Sequence, residues 1–155
     1  MKVQLSLASI LLGLSVGGCN VTGVNQATTQ TSNNRELVVW WSEGYYPEET
    51  DAIESITRKW EQTSGNRVKL VFFNDGEISQ RATEILNGGP KPDLMYGYSV
   101  GDSHGPTFAY KGLLLETSDV IEEFKSDYSP GIIENITFLN KQTNERYPYS
   151  IPLSV

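Results

Sequence analysis

Two apolar runs of strand length, ELVVWWS (Glu36–Ser42) and RVKLVFFN (Arg67–Asn74), stand about one helix apart, and that spacing limits the fold more than any other feature. Each run is continuous rather than alternating, the pattern of a strand covered on both faces. Between them, Pro47 suits a first helical turn, and Glu48, Glu49 and Asp51 place negative charge where the helix dipole favours it. Ala52, Ile53, Ile56 and Trp60 recur at helical spacing, which assigns Trp60 to the core, and Gly65 is a natural stop.

The unit repeats. After the second strand, Ile78, Ala82, Ile85 and Leu86 mark one face of a helix that Asn87-Gly88-Gly89-Pro90 ends, and PDLMY (Pro92–Tyr96) follows as a third short strand. Strands alternating with helices predict an α/β domain with a mostly parallel sheet, helices on both faces and right-handed crossovers. Beyond Tyr96 the pattern is weaker. Gly97–Thr107 is rich in turn formers, Phe108–Leu115 has the character of a short helix, and Asp119–Phe124 and Pro130–Leu139 are expected to be helical. Gln142–Tyr147 is expected to turn between two short extended pieces, the second being Tyr147–Val155.

The first 18 residues differ from all of this. Lys2 precedes a mostly apolar stretch from Val3 to Val16, shorter than the roughly 20 residues of a membrane-spanning helix, so the segment has the form of an export signal. Val16-Gly17-Gly18-Cys19 resembles the bacterial lipobox, which implies cleavage before Cys19, lipidation of that cysteine and stable membrane anchoring through its acyl chains. The stretch from Cys19 to Arg35 is rich in Thr, Asn and Gln without apolar periodicity and is assigned as a tether with a reach on the order of 20 Å.

Charge and residue types exclude several function classes. Twelve basic against nineteen acidic residues give a formal charge of −7, the wrong sign for neutralising phosphates, which argues against nucleic acid as a partner. One cysteine and one histidine cannot build a disulfide framework or a Cys/His zinc site within one chain, and no cofactor motif is present. Chemistry falls to carboxylates, hydroxyls, amides and rings.

In an open parallel sheet, ligands bind beyond the carboxyl ends of the strands. Those ends are Ser42-Glu43-Gly44-Tyr45-Tyr46, Asn74-Asp75-Gly76 and Tyr96-Gly97-Tyr98-Ser99. Rings cover the C–H patches of a sugar while carboxylates and amides accept its hydroxyl protons, so Trp41, Glu43, Tyr45, Asp75 and Tyr98 are the candidate ligand residues. Trp40 and Trp41 point to opposite faces, so at least one of them is core. Because Glu48, Glu49 and Asp51 already occupy the first helix N-terminus, a neutral sugar, or next a cationic amine, is favoured over an anion. Gly101-Asp102-Ser103-His104 invites a serine hydrolase reading, but neighbours in sequence are not a triad, and the segment lacks the G-x-S-x-G elbow.

The lipobox, the tether, VVWWSEG, KWEQTSGNRVKLVF, ILNGGPKPDLMYGYS, GLLLETSDVIEEF and YPYSIPLS, taken in that order and spacing, resemble extracellular solute-binding proteins, and within them the carbohydrate-binding group that serves ATP-binding-cassette importers. The resemblance covers Glu36–Val155 and implies an incomplete periplasmic-binding-protein-like (type II) lobe. It also implies a carbohydrate ligand, membrane permease subunits as partners, an extracytoplasmic location on the lipid of Cys19, and no catalysis. Tyr149 joins the candidates because Tyr147-Pro148-Tyr149-Ser150 corresponds to the place where such proteins approach the ligand. Family members are usually far longer, so the chain is expected to be a truncated product or split-gene half. The alternatives are a non-binding remnant, a half that needs a second chain, and a small hydrolase using Ser103.

Overall fold

The computed structural model describes residues 36–153. The expected signal segment 1–18, the lipidation site Cys19 and the tether 19–35 lie outside the described residues.

Three parallel strands, β1 (Glu36–Ser42), β2 (Arg67–Phe73) and β3 (Leu94–Tyr96), form a sheet in the order β2-β1-β3. The helix α1 (Pro47–Ser64) links β1 to β2, and α2 (Asp75–Leu86) carries the chain back across β1 to β3. Pro47 starts α1 as expected, and Gly65 closes it with φ 71°, its amide donating to the Glu61 carbonyl. Asn74 caps α2 with a reciprocal box: its side chain accepts from the Glu77 amide at 2.9 Å while the Glu77 carboxylate accepts from the Asn74 amide at 3.2 Å.

Register fixes the two sheet faces. Trp40 lies opposite Val71 and Met95, whereas Trp41 lies opposite Phe72 and Tyr96. Trp40 belongs to the core with Ile78, Ala82, Val100 and Phe108, and Val38, Val71, Phe73 and Met95 pack around it. That face is covered by α2 and α3 (Val100–Tyr110).

Trp60 is not core. It is 40% exposed, and α1 contributes no buried residue. The helix meets the sheet at β2, an edge strand, where a helix is enclosed on one side only.

Gly97–Thr107 is not a run of turns, because most of it is α3, with Pro106 inside the helix. Burial of Val100, Phe108 and Ala109 outweighs the poor helix propensity of Gly101, Gly105 and Pro106. Gly105 is buried for a local reason, since a Cβ there would lie 3.3 Å from the Phe138 ring. The helix expected over Pro130–Leu139 stops at Asn135, where α5 (Pro130–Asn135), following the short α4 (Ser118–Glu123), gives way to β4 (Thr137–Asn140). This strand pairs antiparallel with β5 (Glu145–Pro148), setting Phe138 opposite Tyr147, and Asn144 takes the left-handed turn position at φ 58°. Cross-strand pairing of β-branched and aromatic residues is what the helical reading of that segment lacked.

Candidate functional site

Chain order sets where a ligand surface can form. From β1 the chain moves to β2 on one side and then to β3 on the other, so the strand order reverses between β1 and β3. At such a switch point the connections leave the two strand tips in opposite directions and open a crevice.

A continuous run of rings crosses this point. Trp41 at the end of β1 stacks on its register neighbour Tyr96, with ring centroids 4.3 Å apart and planes inclined by 29°. Tyr96 meets Tyr98 edge-on at 5.6 Å, and Tyr98 meets Tyr45 at 6.1 Å. Exposure rises along the run from the half-buried Trp41 and Tyr96 through Tyr98 at 49% to Tyr45 at 89%. The inner rings therefore support the outer ones, which face solvent. Three of the sequence-predicted residues, Trp41, Tyr45 and Tyr98, are brought together by Tyr96, which the sequence reading placed at a tip without assigning it to the site.

One hydrogen bond fixes the outer rings. The Tyr98 hydroxyl donates to Glu49 Oε2 at 3.2 Å, joining the β3 tip to the first turn of α1. The Glu49 side chain lies across Gly44, where a Cβ would sit 1.8 Å from Oε2 and 2.7 Å from the Glu49 Cβ. Only a residue without a side chain leaves room for this crossing. The Tyr98 phenol is held above its ordinary pKa, first by partial desolvation and then by the Glu49 carboxylate that accepts its hydrogen bond.

The remaining candidates are placed differently. Glu43 is exposed at the β1 tip, its amide donating to the Phe73 carbonyl at 2.8 Å. Asp75 is exposed at the start of α2, beyond β2 and so on the side of β1 away from β3. Tyr149 is only 7% exposed, with its ring edge-on to Tyr147 and its amide donating to the Ile136 carbonyl at 3.0 Å. It packs beside the β4–β5 hairpin rather than in the ring run. Glu49 and Gly44 went unassigned because helix-start acids and turn glycines have ordinary structural roles. Their signal was the close sequence of a glycine, two tyrosines and a helix start, which gains meaning only when β3 lies alongside.

The tip segments are strongly acidic. Residues 42–51, 74–77 and 96–102 hold Glu43, Glu48, Glu49, Asp51, Asp75, Glu77 and Asp102 without a lysine or arginine. The charged side chains of these tip segments are thus all of one sign.

Two grooves among the described residues lie elsewhere. One groove of about 380 Å³ runs between Pro106, Tyr110, Phe138 and Arg146, and another of about 590 Å³ between Ile85, Leu86, Lys111 and Lys141. Neither includes a strand-tip residue. The ring run is instead an open surface, which suits stacking against one face of a ligand.

The Ser103 segment forms a hydroxyl chain. Ser103 Oγ lies 2.7 Å from His104 Nδ1 and donates to the Ser99 carbonyl at 2.6 Å, while His104 Nε2 lies 3.1 Å from Thr83 Oγ1. A nucleophile needs its proton taken by a base that a third group orients. Here the far nitrogen of the imidazole meets a hydroxyl rather than a carboxylate, and the serine proton has a backbone carbonyl to satisfy.

No family model matches the chain. Across 147 residues, 92% of its length, the chain is 25% identical to the diacetylchitobiose binding protein DasA of Streptomyces coelicolor, and it spans about a third of that relative's length, 33%. That relative is a binding protein by name. The likeness to solute-binding proteins read from the sequence is thus found again in this relative, and the parallel three-stranded sheet flanked by helices is consistent with part of a periplasmic-binding-protein-like lobe.

Proposed function

We propose that this chain supplies one wall of the sugar-binding cleft of a lipid-anchored, extracytoplasmic solute-binding subunit that delivers a sugar or oligosaccharide to the membrane subunits of an ATP-binding-cassette importer. The observation that carries this reading is the continuous ring run Trp41–Tyr96–Tyr98–Tyr45 across the switch point. Ring faces exclude water from the C–H patches of a pyranose, and neighbouring acceptors such as Glu43 take its hydroxyl protons. The relative's printed ligand, a disaccharide of amide-bearing sugars, is of the same chemical kind.

One open surface makes a weak site. Good pockets cover about 70–90% of a ligand, and a single wall leaves much of it in water. In this reading the opposite wall comes from a second lobe, whose closure buries the sugar and creates the form that docks on the permease. Cys19 carries the anchor, and residues 19–35 give the lobe its reach from the membrane.

Titration calorimetry tests this with an oligosaccharide panel that includes diacetylchitobiose, run on the chain alone and mixed with a separately produced second lobe of a solute-binding protein. The expected result is binding near the millimolar level alone, about 4 kcal/mol, and much tighter binding with the second lobe. If neither preparation takes up a sugar, the reading is wrong, and micromolar affinity of the chain alone removes the need for a second lobe.

A further inference from the structure

The Tyr98–Glu49 contact does more than hold a ring. A phenol has one hydrogen to donate, and in this geometry it is donated to the Glu49 carboxylate. Toward a ligand, Tyr98 then offers only the lone pairs of its oxygen. Glu49 Oε1 and the Glu43 carboxylate are acceptors as well, and no lysine or arginine in the tip segments supplies a charged donor. At the β2 tip, on the other side of β1, Asn74 Oδ1 and Glu77 Oε2 are engaged by the α2 cap. The charged groups beside Tyr45 and Tyr98 are therefore all acceptors, in a field of uniform sign, and the donors there are neutral hydroxyls such as that of Tyr45.

We infer that Glu49 is a specificity-determining residue of the ring surface: by accepting the hydrogen bond of the Tyr98 hydroxyl it makes this wall select sugars that present hydrogen-bond donors there, a protonated amine best and a carboxylate worst. The inference rests on the sugar-binding reading above and names the charge class of its ligand. Its physical basis is a difference of affinities. A hydroxyl, amide N–H or ammonium completes the exposed lone pairs, whereas a uronate brings acceptors against acceptors and charge against like charge. Gly44 permits the arrangement because any side chain there would displace the Glu49 carboxylate.

The test compares three disaccharides of similar size on the full chain: the di-amine form of chitobiose, diacetylchitobiose and a uronate-containing disaccharide. Affinities are measured by NMR line broadening at low and at moderate salt, below the pKa of the amine. The di-amine is expected to bind about tenfold more tightly than the diacetylated form, the value for one exposed charge-assisted contact, and the uronate not at all. The gap narrows with salt, because the Debye length is about 10 Å at 0.1 M. Glu49→Gln, checked for folding by circular dichroism, should shrink the gap between the amine and the diacetylated sugar to a few-fold and lower the midpoint of Tyr98 ionisation read by ultraviolet difference absorbance. Equal binding of all three sugars, or an unchanged ranking in the folded Glu49→Gln chain, overturns the inference and leaves sugar binding standing. Failure of every sugar to bind overturns the sugar reading and this inference with it.

Discussion

Replacing Gly44 by alanine tests the crossing on which the ring surface depends. An added Cβ would lie 1.8 Å from Glu49 Oε2, 2.5 Å from its Cδ and 2.7 Å from its Cβ. The carboxylate can swing away, but the Glu49 Cβ is fixed to the first turn of α1, so that turn must shift. Such overpacking costs about 1–3 kcal/mol, against a gain of about 0.4–1 kcal/mol from restricting the unfolded chain. The steric cost wins, and a net loss of about 1–2 kcal/mol is expected. Urea unfolding followed by tryptophan fluorescence reads this as a lower midpoint at unchanged slope. A double-mutant cycle then identifies the cause. In a Glu49→Ala background the approaches to Oε2 and Cδ are gone while the 2.7 Å approach to the Cβ of residue 49 remains, so the cost of Gly44→Ala should shrink without vanishing, with a coupling of about 1 kcal/mol. If Gly44→Ala is as stable as the parent in both backgrounds, the close approach of these two residues is refuted, together with the fixed position of Tyr98.

Three further outcomes follow from the same geometry. Ile78 is fully buried at the centre of the core, so Ile78→Ala should cost about 2–5 kcal/mol in chemical unfolding, and a cost under 1 kcal/mol would show that the core is not closed around it. Tyr45 is 89% exposed and Tyr149 is 7% exposed, so Tyr45→Ala should weaken sugar binding at nearly unchanged stability, while Tyr149→Ala should lower stability; the reverse pattern would remove Tyr45 from the surface. The Tyr98 phenol, facing Glu49, Tyr96 and Tyr45, has a raised pKa in the folded chain, so its contribution to stability is complete below the unfolded tyrosine value of about 10 and is lost as pH rises through the folded value. Unfolding curves above and below that range, compared with those of Tyr98→Phe, should converge at high pH, and parallel curves would contradict the contact.

Much of the fold was legible because its first half is regular. The strand bounds of β1 follow from one apolar run, and α1 begins at Pro47 and ends at Gly65 for reasons local to those residues. The later elements were less so. Pro106 and the glycines of α3 carry strong local turn signals that burial of Phe108 and Ala109 overrides, and Thr137–Asn140 becomes a strand because a partner is present to pair with it. Trp60 shows the opposite failure, an apolar helix position that reaches no enclosed core.

For the site, the sequence determined which residues stand at strand ends, since alternation of strand and helix implies parallel strands whose tips share one end of the sheet. It also determined the sign of the charge there. The order β2-β1-β3 was settled only by tertiary structure, and that order makes Trp41 and Tyr96 neighbours while leaving Asp75 on the far side of β1. The contact between Glu49 and Tyr98 spans 49 residues and needs the empty space at Gly44, so it arises from packing between two tips. Residue types and local periodicity belong to short windows of chain, whereas adjacency across a sheet depends on which crossover goes to which side.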